Sequence, residues 1–146
     1  MIVNFKKLNE NAKVPTYGSP YAAGADLYAL IDGEKETFSP GETKIIHTGI
    51  AMEIPVGYAG LIYARSGIAN KRGLAPSNKV GVVDADYRGE IMVSLHNHSN
   101  TVQEIANGER IAQMVIAPFL SVEYNEVNEL TDTERGEGGF GSTGKK

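Results

Sequence analysis

The sequence predicts an all-β domain, a sandwich, jelly roll or barrel, with one short helix and a flexible C-terminal arm. Three observations carry that prediction. The apolar runs are short, β-branched and alternate with a period of two. Seventeen glycines and six prolines punctuate them. A 41% apolar content over 146 residues is enough to bury one sizeable core.

The predicted strands follow in order. Residues 44–54 (KIIHTGIAMEI), 57–64 (GYAGLIYA), 79–83 (KVGVV) and 110–119 (RIAQMVIAPF) each read as extended segments. In GEIMVSLH, Ile91, Val93 and Leu95 share one face while Met92, Ser94 and His96 share the other, as a half-buried strand requires. Turn signals separate the runs: Ser39-Pro40-Gly41, Pro55-Val56-Gly57 and Asn107-Gly108. After Arg65 the rhythm breaks, and residues 66–72 (SGIANKR) predict a short helix that opens on a good N-cap serine and stops at Gly73. From Thr131 the composition shifts to TDTERGEGGFGSTGKK, with a single aromatic, Phe140. Such a segment cannot pack by itself, so the expected division is a β-core over 1–131 and a mobile glycine-rich lid over 132–146.

Composition also excludes classes of function. With no cysteine, disulfides, thiolate nucleophiles and Cys-ligated zinc are out, and a cytoplasmic enzyme fits. No segment approaches the roughly 20 apolar residues of a membrane span, and the N-terminus lacks the apolar stretch of a secretory signal. A soluble, unprocessed protein with no membrane partner is expected. The net charge of −4 argues against a nucleic-acid partner, so any phosphate ligand has to meet local positive charge.

Four segments invite chemistry. Residues 139–145 (GFGSTGK) nearly match a phosphate-binding loop, but the following position is Lys146 and the helix that should follow is missing. Arg65-Ser66-Gly67 is a better phosphate site, because a helix start presents unpaired N–H groups beside a planar, permanently charged fork. An ordinary N-cap beside a surface arginine accounts for the tripeptide equally well. In GVVDADYRGE (81–90) a carboxylate beside bound phosphate can take a proton from water, although two aspartates after a strand also make a plain polar turn. His96 and His98 offer two metal ligands and no third, which favours a solvated or hydrogen-bonded pair.

In order, these segments resemble the five motifs of trimeric dUTPases. AGADL (23–27) is similar to the first, ARSG (64–67) to the second and GVVDADYRGE (81–90) to the third. GERIAQM (108–114) resembles the fourth and RGEGGFGSTG (135–144) the fifth. The visible departure is Ala64, where the family commonly has proline.

The resemblance implies hydrolysis of dUTP to dUMP and pyrophosphate, which limits uracil incorporation into DNA and supplies dUMP for thymidylate synthesis. It implies Asp84 as the base that activates water for attack on the α-phosphorus, and Tyr87 packed on the deoxyribose to exclude a 2′-hydroxyl. Backbone groups of Gly81, Val82 and Val83 would read uracil, with Asn78 assisting and Met92 lining the pocket. Arg65, Ser66, Gly67 and Gln113 would hold the α- and β-phosphates. From another subunit of a homotrimer, Arg135 would reach the γ-phosphate, Phe140 would stack on uracil, and Gly141, Ser142 and Thr143 would add hydrogen bonds. Mg²⁺ is the implied cofactor, held mainly by phosphates and water, with Asp26 acting through water or as a support.

Two rivals are weighed against that reading. A related dCTP deaminase needs an arginine and a glutamate where this chain has Asn70 and Ser94, and without the carboxylate no group shuttles protons to the ring. A non-enzymatic β-domain, binding nucleotide as a sensor or serving as a structural trimer, sits poorly with intact Asp84, Arg135 and Phe140.

Overall fold

The computed structural model describes residues 1–139. Period-two alternation in the sequence becomes alternate burial in space: in β9 (Glu90–Asn97), Ile91, Val93 and Leu95 are buried while Met92 faces out. The other strands in chain order are β1 (Asn4–Lys7), β2 (Thr16–Tyr17), β3 (Ala25–Tyr28), β4 (Lys35–Phe38), β5 (Thr43–Glu53), β6 (Tyr58–Tyr63), β7 (Leu74–Pro76), β8 (Gly81–Val83), β10 (Gln103–Ala106) and β11 (Arg110–Pro118). The five segments expected from sequence correspond to β5, β6, β8, β9 and β11. The remaining strands are two to four residues long and are made by their partners rather than by local pattern.

Three antiparallel sheets result, with strand orders β1-β5-β9-β7, β10-β4 and β2-β3-β11-β6-β8. One core joins them: Leu95 and Val93 from the first, Phe38 and Ile105 from the second, Ile111 and Met114 from the third. The fold is the expected all-β, jelly-roll-like one. No helix among the described residues is long and apolar enough to cross a membrane.

The single helix among the described residues, α1, spans Ser66–Arg72 and ends at Gly73, whose φ of 68° gives the left-handed cap a glycine supplies most readily. Its start differs from expectation. Arg65, with extended φ and ψ, is the N-cap and makes no side-chain cap bond, so Ser66 is already the first helical residue. The hydroxyl expected to cap the helix is left over for other work.

Strand β5 carries a wide irregularity opposite β9. His47 pairs with Met92, yet the next pair is Ala51 with Glu90, so four steps on one strand match two on the other. Gly49 sits in this bulge at φ 69°, and a Cβ there would meet Leu30 and Ala12 at 2.6 and 2.8 Å. Among the described residues after β11 there is no strand or helix, and residues 118–137 are all exposed.

Candidate functional site

The five-stranded sheet sets the first four motifs side by side. Motif one lies on β3, motif four on the neighbouring β11, motif two at the end of β6, and motif three begins on β8. Register brings them closer still, because Gln113 pairs with Asp26 on one side and Tyr63 on the other.

At the β8 end is a cavity of about 220 Å³ lined by Asn78, Gly81, Val82, Val83, Asp84 and Tyr87, closed by Met92, Glu90, Ile91 and Ile62. Of the residues expected at the base, the sugar and the attacking water, those among the described residues line this one cavity. Beyond Val83 the chain turns, with the Tyr87 amide donating to the Asp84 carbonyl at 3.2 Å. That turn separates Asp84 from Asp86, and Asp84 lines the cavity while Asp86 does not. The Asp84 carboxylate makes no hydrogen bond or ion pair among the described residues, so it is available as a proton acceptor.

Two glycines make room for the walls. A Cβ on Gly81 would press on the Asn78 amide nitrogen at 3.1 Å and on Ile62 at 3.3 Å. One on Gly89 would collide with the Tyr87 ring, which folds back so that its hydroxyl donates to the Glu90 carbonyl at 2.9 Å.

At the other end of β6 the arrangement is ionic. Asp26 is 7% exposed and accepts from Arg65 Nε at 2.6 Å and from Arg110 Nη1 at 3.3 Å. Arg65 also points Nη1 at the Arg110 carbonyl, 3.5 Å away, which leaves its Nη2 donors without a protein partner among the described residues. Gln113 donates to the Ala64 carbonyl at 2.9 Å and stays beside Gly24, where a Cβ would strike its side-chain oxygen at 2.7 Å. Ser66 and Gly67 are exposed at the helix start, and a Cβ on Gly67 would touch nothing within 4 Å. Nothing inside this chain demands glycine there.

One chain does not bring the two ends together. Gly60 pairs with Val83 and Ile62 with Gly81, so Asp84 lies beside Ala59 while Arg65 lies six residues further along the same extended direction. That is about 20 Å at 3.3 Å per residue. Arg135 sits in a local turn, with Nε donating to the Gly138 carbonyl at 2.8 Å, and bonds to neither cluster among the described residues. Phe140, Gly141, Ser142 and Thr143 lie outside the described residues.

Sequence reading missed two residues, Arg110 and Glu90. The Glu90 carboxylate accepts from the Gly49 amide at 2.7 Å and the Thr48 amide at 3.2 Å, and its second oxygen lies 2.8 Å from His47 Nδ1. Burial pushes this carboxyl up, but the His47 hydrogen bond, the two amides and the charge of His47 outweigh it and hold its pKa below the ordinary value. Of the two histidines weighed as metal ligands, His96 instead bonds Thr43 Oγ1 at 2.8 Å. No cluster of three or more His, Asp or Glu positioned for a metal occurs among the described residues. Mg²⁺ therefore finds no ready cage here, and the donors present suit an ion that brings phosphate oxygens and water with it.

Comparison with known proteins gives a consistent result. The dUTPase family model matches residues 10–144. The deoxyuridine 5'-triphosphate nucleotidohydrolase of Nautilia profundicola is 53% identical over 145 residues, covering 99% of this chain and 100% of that one. That of Syntrophotalea carbinolica is 47% identical over 142 residues, with 97% and 96% covered. Among solved structures, a variant of the Staphylococcus bacteriophage 80alpha dUTPase with dUpNHpp is similar at a TM-score of 0.88 and 30% identity, covering 98% of each chain. A variant of the dUTPase from phage phi11 of S. aureus, described with a structural Mg(II) ion, is similar at a TM-score of 0.80 and 26% identity, covering 90% of this chain and 100% of that one.

Proposed function

The chain belongs to the dUTPase family, and from that premise we infer that it hydrolyses dUTP to dUMP and pyrophosphate with Asp84 as the base. The observation that carries the assignment of roles is the single cavity that gathers Asp84, Asn78, Gly81, Val82, Val83, Tyr87 and Met92. The cellular consequence is less uracil in DNA and a supply of dUMP for thymidylate synthesis, a reaction we place in the cytoplasm.

Asp84 takes a proton from a water as its oxygen attacks the α-phosphorus. The new P–O bond forms in line with the breaking bond to the bridging oxygen, and pyrophosphate leaves with that oxygen. The β8 backbone at Gly81, Val82 and Val83 donates to and accepts from the uracil edge, with Asn78 beside it. Cytosine presents a donor where uracil has an acceptor, which leaves buried polar groups unpaired. Tyr87 closes the space a 2′-hydroxyl would need, and Met92 supplies the apolar floor.

Arg65, Ser66, Gly67 and Gln113 hold the α- and β-phosphates. Asp26 keeps the Arg65 fork oriented before substrate arrives, a positional role that fits its two guanidinium partners. An open Cβ direction at Gly67 fits close approach of phosphate to the backbone. Mg²⁺, when bound, would supply charge neutralisation at the triphosphate. Asp26 would take part only through a water or by supporting the site, with phosphate oxygens and water as the ion's main ligands.

The 20 Å between Asp84 and Arg65 within one chain supports a homotrimer in which a second copy supplies the phosphate-binding end. The exposed run after β11, with Leu120, Val122 and Leu130 turned to solvent, fits an arm that packs on another copy. Its continuation, residues 132–146, then closes as a lid that brings Arg135, Phe140, Gly141, Ser142 and Thr143 to the bound nucleotide.

A pyrophosphate-release assay with Mg²⁺ on dUTP, UTP, dTTP and dCTP tests base and sugar selection together. Turnover of dUTP alone is expected. Binding of dUTP without pyrophosphate release, or ammonia release from dCTP at a comparable rate, overturns the reading.

A further inference from the structure

We propose that Glu90 is a positioning residue for sugar selection, because its carboxylate locks the β5 bulge while its own backbone carbonyl tethers the Tyr87 hydroxyl. The inference rests on the placement of Tyr87 against the deoxyribose made above.

Glu90 stands in the wall between two hollows. One is the nucleoside cavity, and the other is a polar groove of about 610 Å³ lined by Asn9, Asn11, Asp32, His47 and Asn107. The bulge in β5 leaves the amides of Thr48 and Gly49 without ladder partners, and both donate to one oxygen of Glu90, at 3.2 and 2.7 Å. Thr48 Oγ1 then donates to the Ile91 carbonyl at 2.5 Å, a buried bond that fastens the bulge to the residue next to Glu90. The other Glu90 oxygen meets His47, and His47 stands opposite Met92 in the ladder. Four bonds thus fix the start of β9 at the point where it borders the cavity.

Tyr87 depends on that point. It is 42% exposed, Gly89 beside it has no side chain to brace it, and among the described residues its hydroxyl bonds only to the Glu90 carbonyl. Move the Glu90 backbone and the ring loses its register over the sugar. The carboxylate therefore acts on selectivity through Tyr87 and Met92 without touching substrate or the attacking water.

The full chain and its variants are assayed for pyrophosphate release from dUTP and UTP over a range of concentrations, with melting temperature and oligomeric state recorded for each. Glu90→Ala is expected to lower the ratio of kcat/KM for dUTP to that for UTP about tenfold, through KM, with kcat changed by less than about threefold. Glu90→Gln keeps an oxygen for the two amides and offers an N–H to a His47 Nδ1 that accepts, so the ratio should return to within about twofold of the parent. Tyr87→Phe removes the tether from the other side and should lower the ratio in the same way, and combining it with Glu90→Ala should add little.

A Glu90→Ala variant that loses kcat equally on both substrates with its ratio intact overturns the proposal, as does a Glu90→Gln variant with as poor a ratio. If Glu90→Ala does not fold, Glu90→Asp, too short to reach both amides, and Tyr87→Phe decide: unchanged ratios in both overturn it. Parent protein that turns over UTP as well as dUTP would instead refute the role given to Tyr87, an outcome seen before any variant is made.

Discussion

At the Ala59 end of β6 the cavity is shaped by backbone, glycines and an aromatic ring, and among the described residues its one unpaired charge is Asp84. At the Arg65 end the surface is organised by a buried carboxylate between two guanidinium groups. The first kind of wall discriminates by shape and by unpaired polar groups, and it needs close tolerances. The second grips by charge and tolerates small displacements, because Coulomb attraction falls off slowly compared with steric contact. On the proposed roles, selection and grip fall at different ends of one strand.

Asp84→Asn attacks the first end at its chemistry and carries the largest expected effect. Turnover should fall about 10³-fold with dUTP binding kept, measured by pyrophosphate release and by calorimetry. Equal turnover would remove Asp84 from the role of base. Deleting residues 132–146 removes the groups expected to close over both ends, and kcat should drop about 10²-fold. Circular dichroism and sedimentation should show fold and assembly intact, and lost solubility would mean the arm is structural.

Asp26→Asn weakens the second end alone. With one carboxylate gone from between two arginines, KM for dUTP should rise about tenfold while sugar and base selectivity hold. Stability should fall by about 2 kcal/mol in denaturant titration, less than for a fully buried pair because Arg110 is half exposed. A change in selectivity here would collapse the distinction between the two ends. Gly89→Ala tests the first end by shape: its Cβ collides with the Tyr87 ring, so the dUTP to UTP ratio should fall a few-fold with KM for phosphate-only ligands unchanged.

The smallest effect concerns pH. The Glu90 carboxyl titrates below its ordinary value of 4.5. A depressed carboxylate contributes stability that is present above the unfolded value and is lost as pH falls through the folded one. Melting temperature should therefore decline more steeply below pH 4.5 in the parent than in Glu90→Gln, and parallel curves would remove Glu90 from the acid response.

Much of this was legible in sequence because it follows local rules. The alternation of Ile91, Val93 and Leu95 names a face, and Gly73 names a helix end. Strands such as β2 and β7 have no pattern of their own and exist through pairing with β3 and β9. The two overlooked residues share one cause. Arg110 and Gln113 are an odd number apart, so strict alternation sets them on opposite faces, but the register shift between Arg110 and Ala112 turns Arg110 back toward Asp26. Glu90 likewise finds its amides only because β5 bulges. An irregular register is a long-range property, and periodicity in one strand carries no trace of it.

The ion triad has a consequence for how substrate arrives. Two guanidinium groups against one carboxylate leave a single positive charge in excess at the proposed phosphate end, while the chain as a whole carries −4. A polyanion is therefore repelled at long range and attracted only within about one Debye length, near 8 Å at physiological salt. Encounter and capture have opposite signs, so added salt should speed the approach of nucleotide while weakening its hold, and the protein trades long-range steering for a short, specific basin of attraction.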